Sequence, residues 1–257
     1  MIDDSTASRL LIEHVGCVDS TNSELMRREP LLAVESKAAA LWLVAARQTA
    51  GRGRRQRRWL ATPEASLTAS FAREVQEVPH LGALSLVAGV AIAETLAGFG
   101  VEVRLKWPND IHVAGGKAGG ILCEARARGP ATRIVIGCGL NLTLPAGAID
   151  RDQAVAGLFD RSDWSDRERL CVALGRALLD ATDQFLAEGF GAFRQRWRLR
   201  DMLQGRAIVI HDYEVAGAMT AATARGIDDD GALLVEIGHS GERRRVFAEE
   251  VSVRSLS

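Results

Sequence analysis

The sequence predicts an α+β protein: a mixed domain, a helical stretch, then a small separate β module. Three observations carry that expectation. Short apolar runs with period-2 alternation, such as "SLTASFAREV", flank one long Ala-rich apolar segment. From about Ser165 to Leu203 the apolar spacing becomes helical. After Gly205 the period returns to two, with turn residues at short intervals. At 257 residues, 47 % hydrophobic and 25 % charged, the chain can bury a large core and still carry an appendage.

The elements follow in order. "LLIEHVGCVDSTNSELMRRE" runs from a short apolar segment into a helix start, where Thr21 and Glu24 have capping-box spacing. "ALWLVAARQ" has the length and composition of a strand and ends on polar Gln48. "SLTASFAREV" places Leu67, Ala69 and Phe71 on one side of the next strand. His80 to Phe99 reads as a buried helix. "VEVRLKWPNDI" alternates Val101, Val103 and Leu105 against Glu102, Arg104 and Lys106, a strand that Pro108 ends because proline cannot donate to a ladder. "GGKAGGILCEARARG" and "ATRIVIGCGLNLTLP" read as two strands joined by a turn at Gly129 and Pro130. Leu170, Leu174, Leu178, Phe185, Phe190, Phe193 and Trp197 form the helical stripe, broken at Gly189 and Gly191. The tail, with turns at Asp229–Gly231 and Ser240–Gly241, suggests a barrel-like module. The expected division is residues 1–203 and 204–257.

Composition narrows the function. Formal net charge is −1, which argues against a general nucleic-acid binder, since such domains carry a basic excess. The N-terminus lacks the basic start and apolar core of a signal peptide. "LGALSLVAGVAIAETLAGFG" comes nearest to a membrane span, but Ser85, Glu94 and its Ala/Gly content favour a core helix. Cys17, Cys123, Cys138 and Cys171 are scattered without metal-ligand spacing, as expected of small apolar residues in a reduced, cytoplasmic protein.

Chemistry concentrates in a few places. "QTAGRGRRQRRWLATP" sets five arginines among glycines: Arg52, Arg54, Arg55, Arg57 and Arg58. Gly51 and Gly53 are able to take positive φ and admit a ligand close to the backbone. Such a segment is either a phosphate cradle built from amides and guanidiniums or a solvated basic loop. "KWPND", from Lys106 to Asp110, leaves a strand end with an amide and a carboxylate. That is either a site or a turn of good turn-formers. A carboxylate there suits Mg²⁺ or the orientation of a nucleophile. Lys117 among Gly116, Gly119 and Gly120 is a reach for an anion or a surface lysine. Asn141 in "GCGLNL" serves a ligand or the local backbone.

Taken together, "STN", "GRGRRQRRW", "KWPNDI", "KAGGIL" and "GCGLNL", in this order, resemble the catalytic signature of biotin protein ligases. "RGIDDDGALLVE" followed by "EEVSVRS" resembles their terminal SH3-like module. The resemblance spans about residues 10 to 254. It implies a class II aminoacyl-tRNA-synthetase-like, biotin–lipoate ligase catalytic domain with a small C-terminal SH3-like β-barrel. The implied reaction joins biotin to ATP as biotinyl-5′-adenylate and moves biotin to a lysine of a biotin carboxyl carrier domain of a carboxylase. By the same resemblance Ser20, Thr21, Asn22, Gln48, Gly51 and Arg52 hold biotin. Arg54, Arg55, Arg57, Trp59, Lys106, Asn109 and Asn141 hold ATP or the adenylate. Lys117 polarises the carboxylate and phosphate and also serves biotin; Arg54 belongs to a lid; and Asp110 positions the carrier lysine or meets Mg²⁺.

Departures from the family pattern are equally informative. Gln56 stands where the family loop usually has its third glycine, so a positive φ there would cost roughly 1 kcal/mol. Ser66 and Thr68 replace a more usual Asn-Leu-Tyr stretch. The chain opens directly on catalytic-type sequence, so a short bacterial form without the DNA-binding winged helix, and without repressor activity, is expected. Related enzymes often pair through the catalytic-domain sheet, which implies a homodimer. A lipoate or octanoate ligase is the nearest alternative.

Overall fold

The strand Ala40–Gln48 (β2) shows how the sequence builds the scaffold: its alternate residues serve two different cores. Leu41 and Leu43 pack with Leu25, Leu31, Ala72 and Val135, while Ala40, Trp42 and Val44 join the main cluster on the other face. This period-2 division between two covered faces makes the strand a near-continuous apolar run.

The computed structural model describes residues 9–32, 36–78, 80–144, 154–160, 164–212, 219–238, 240–248 and 251–255. Among them the chain order is β1 (Leu10–Val18), α1 (Thr21–Arg27), β2 (Ala40–Gln48), β3 (Ser66–Val75), α2 (Leu81–Gly98), β4 (Arg104–Lys106), β5 (Asp110–Val113), β6 (Gly116–Arg128) and β7 (Ala131–Asn141). Then follow α3 (Trp164–Glu188), α4 (Arg194–Arg198), β8 (Ala207–Asp212), β9 (Met219–Ile227), β10 (Leu233–Ile237), β11 (Arg243–Val246) and β12 (Val251–Ser255).

β1 to β7 form one sheet in the order β1-β2-β3-β7-β6-β5-β4. The β1–β2 pair is parallel and the other pairs are antiparallel. The side chains of α2 and α3 share the main core with Trp42, Phe71 and Ile136, whereas α1 contributes Leu25 to the smaller core opposite. Long and apolar enough by length and composition to cross a membrane, α2 lies with 61 % of its residues buried within the fold. The stripe from Leu170 to Trp197 is buried as expected.

The second sheet runs β11-β10-β9-β8-β12. Its Ile208, Ile210, Leu233 and Val235 belong to the same buried cluster as Leu105 and Trp107. The Trp107 indole N–H donates to Gly231 O at 3.0 Å, so the turn after β9 sits against the KWPND segment. Gly231 has φ +84°, and a Cβ there would meet the Ala83 backbone at 2.7 Å. This is a close approach that only glycine permits.

Three local expectations need correction. The strand before Pro108 spans only Arg104–Lys106; Val101 and Val103 are buried without joining it. Helix α1 is capped by Ser20, not Thr21: the Ser20 hydroxyl accepts from Ser23 N at 3.5 Å, and the Glu24 carboxylate pairs with Arg27 and Arg28. Cys138 and Cys171 are buried, but Cys17 is exposed; all four cysteines are free thiols.

Candidate active site

The faces of β6 and β7 that lie under α1 and the arginine loop carry little side-chain bulk, because Gly120 pairs with Gly139 and Gly137 lies opposite Ser70. This glycine floor is what allows polar groups from distant elements to converge. A Cβ on Gly137 would meet Asn22 Oδ1 at 2.2 Å, and one on Gly139 would meet the Trp59 ring at 2.6 Å.

At one end stands a polar cluster. The Gln48 Oε1 accepts from Thr21 N at 2.7 Å and from the Thr21 hydroxyl at 3.2 Å. The Ser70 hydroxyl, fully buried, lies 2.7 Å from Thr21 Oγ1 and 2.6 Å from Asn22 Oδ1. The Asn22 amide donates to Leu122 O at 3.1 Å and to Glu124 Oε2 at 2.7 Å. Ser20, Thr21 and Asn22 are all buried. Capping from Ser20 leaves Thr21 to face Gln48, so its two expected roles do not compete.

At the other end Lys117 Nζ lies 2.7 Å from Asp110 Oδ1, both side chains about one-fifth exposed. Between the ends the Trp59 indole lies over Gly139 and reaches toward Gly120, with its buried N–H unpartnered. The resemblance assigns Trp59 to ATP or the adenylate; in the unliganded protein it rests on the floor between the two polar groups.

The arginine loop is a tight hairpin. Gly53 N donates to Arg57 O at 2.7 Å and Trp59 N to Gly51 O at 2.9 Å, with an isolated bridge between Arg52 and Arg58. Neither of its glycines has positive φ. Gly51 is needed for space, since a Cβ would meet Trp59 O at 2.9 Å, while Gly53 is extended. Positive φ falls instead on Arg55 (57°) and on Gln56 (59°), the position where a glycine was missed. The Arg52 guanidinium grips Glu124 with two bonds of 2.8 and 3.0 Å. Arg54 and Arg55 both donate to Ala248 O, which ties the loop tip to the segment just after β11.

Asn109 and Asn141 serve the backbone here. Asn109 donates to Ile121 O at 2.8 Å, and Asn141 donates to Ala156 O at 3.3 Å. Lys106 shares its strand face with Asp110, its register partner. Sequence reading missed Ser70, Glu124 and His112. His112 is buried beside Asp110 and opposite Lys117, and both its ring nitrogens lack a partner. Burial pushes its pKa down to about 4; the Asp110 charge opposes that shift, while Lys106 and Lys117 reinforce it. Among the described residues no cluster of three or more His, Cys, Asp or Glu could cage a metal.

The sequence and the fold match a known group. Residues 15–141 fit the family described as biotin/lipoate A/B protein ligase. A bifunctional ligase/repressor BirA from Salmonella typhimurium is 35 % identical over 244 residues, covering 93 % of this chain and 72 % of its own length. The chain belongs to this ligase family. A biotin–[acetyl-CoA-carboxylase] ligase from Paracoccus denitrificans is 32 % identical over 249 residues, covering 91 % of this chain and 96 % of the relative. The biotin protein ligase of Aquifex aeolicus, solved with biotin and ATP, superposes with a TM-score of 0.75 at 23 % identity, covering 96 % and 99 % of the two chains. That likeness establishes the biotin protein ligase fold.

Proposed function

We propose that this chain is an ATP-dependent biotin–protein ligase that forms biotinyl-5′-adenylate and passes biotin to a lysine of a biotin carboxyl carrier domain. The observation that carries the reading is the glycine floor with an amide-and-hydroxyl cluster at one end and the Lys117–Asp110 pair at the other. Ser20, Thr21, Asn22 and Gln48 suit the polar ureido ring of biotin. These groups bond one another in the unliganded protein, but a ureido ring can use their remaining donor and acceptor capacity, and an octanoyl or lipoyl chain offers nothing to meet it, which favours biotin over the nearest alternative.

In this reading the biotin carboxylate attacks the α-phosphorus, pyrophosphate leaves, and the carrier lysine amine then attacks the acyl carbon as AMP departs. Two anions must meet in the first step. Lys117 would turn from Asp110 to the reacting oxygens, and the loop arginines Arg54, Arg55 and Arg57, with Lys106, would offset the triphosphate charge. Trp59 leaves the floor and covers the nucleotide, which keeps water from the mixed anhydride. Asn109 and Asn141 hold the strand ends that face the nucleotide, Gly51 keeps the loop base close, and Asp110 is freed to orient the incoming amine. Mg²⁺ suits this site as a companion of the phosphates, with Asp110 the carboxylate nearest Lys117.

The proposal also includes a division at residues 203 and 204, a cytoplasmic protein without nucleic-acid partners, and a homodimer through an open edge of the seven-stranded sheet. Biotin-dependent exchange of labelled pyrophosphate into ATP tests the first half-reaction. Exchange that needs biotin supports the reading, and exchange driven equally by octanoate would overturn it.

A further inference from the structure

Glu124 on β6 fastens three separate parts of the site. Its carboxylate accepts from Asn22 Nδ2 at 2.7 Å and, through two bonds of 2.8 and 3.0 Å, from the Arg52 guanidinium. Arg52 Nε also donates to Ser23 Oγ at 3.3 Å, so the base of the arginine hairpin is tied to α1 as well as to β6. The bidentate geometry fixes both position and direction, which a point charge would not.

Two consequences follow for the ligand contacts. Asn22 spends its amide N–H groups on Leu122 O and Glu124, and its Oδ1 already meets Ser70. What it can still offer a ureido ring is acceptor capacity on Oδ1, and Glu124 fixes that orientation. Arg52, neutralised by Glu124, serves as an anchor at the root of the loop. A ligand that draws the segment from Gly53 to Arg58 away from Ala248 O would leave the root in place over the polar cluster.

We propose that Glu124 is a positioning residue for biotin binding and adenylate retention, acting through Asn22 and Arg52. This rests on the function proposed above. Glu124→Ala, with Glu124→Gln as the conservative variant, should raise the KM for biotin at least tenfold while the KM for ATP moves less than threefold. In the unliganded protein, trypsin should cut between Arg52 and Arg58 at least fivefold faster in Glu124→Ala. Adding Arg52→Ala to Glu124→Ala should raise the biotin KM no further than Glu124→Ala does alone, because the pair acts as a unit. Gln, which keeps one acceptor oxygen, should fall between wild type and Ala. Wild-type cleavage rates with an unchanged biotin KM would overturn the proposal. So would equal rises in both KM values, which mark general loosening. A wild-type protein that never biotinylates a carrier would sink the function above, and the trypsin rates would still decide the clamp.

Discussion

Gln56 carries backbone strain that its neighbours tolerate: with φ near 59°, and Arg55 near 57° before it, two side-chain-bearing residues sit in the left-handed region. Each costs about 1 kcal/mol. A β-branched residue fits there worse still, so Gln56→Val should weaken the hairpin by a further 1–2 kcal/mol or so. Hydrogen exchange at the Gly53 amide, bonded to Arg57 O, should accelerate roughly tenfold; an unchanged rate would show that the turn is unstrained. His112 makes a second residue-scale prediction. Its folded pKa of about 4 lies below the ordinary value near 6.5, so between those pH values the unfolded chain binds more protons. Stability is complete above pH 6.5 and falls by up to about 1.4 kcal/mol per unit as pH drops toward 4. In His112→Leu that acid limb should flatten, with little loss at pH 7.5, because two unpartnered ring nitrogens are removed. Urea midpoints measured against pH decide this. An equally steep limb in the variant would refute it.

At the scale of elements, β6 and β7 work as a floor because their glycines are in register, Gly120 with Gly139. Gly137→Ala would drive a Cβ into Asn22 and break its bonds to Ser70, Leu122 and Glu124. The expected outcome is a loss of about 1–3 kcal/mol in stability and at least a tenfold weaker biotin affinity by calorimetry; full affinity would mean that Asn22 is not needed. Much of this layer was legible in the chain. The residues of β3, the turn at Gly129 and the buried stripe of α3 follow from period and turn chemistry, which are local. The Ser20 cap was misplaced by one residue because Thr21 is equally good at capping and its tertiary partners, Gln48 and Ser70, cannot be seen locally. Glu124 was passed over for the same reason: its partners Asn22 and Arg52 lie 102 and 72 positions away. Val101 and Val103 alternate like a strand, yet burial beneath α2 does not require a ladder.

For the whole molecule, two connections between strands of the second sheet grip the site, the β9–β10 turn through Trp107 to Gly231 O and the segment after β11 through Arg54 and Arg55 to Ala248 O. Gly231→Ala should unseat that contact, since its Cβ would strike the Ala83 backbone. Limited proteolysis should then release a fragment near residues 204–257 that the parent resists; identical digestion would argue that the two sheets are held elsewhere. The central claim joins the polar cluster, the glycine floor and the lysine–carboxylate pair into one ligase site. Incubation of the protein with biotin, ATP, Mg²⁺ and an apo carrier domain, followed by intact mass spectrometry, tests it most directly. A single biotinyl increment on one carrier lysine, absent when Lys117 is replaced by Ala, is the predicted result. An unmodified carrier, or one that accepts an octanoyl group in place of biotin, would contradict the account.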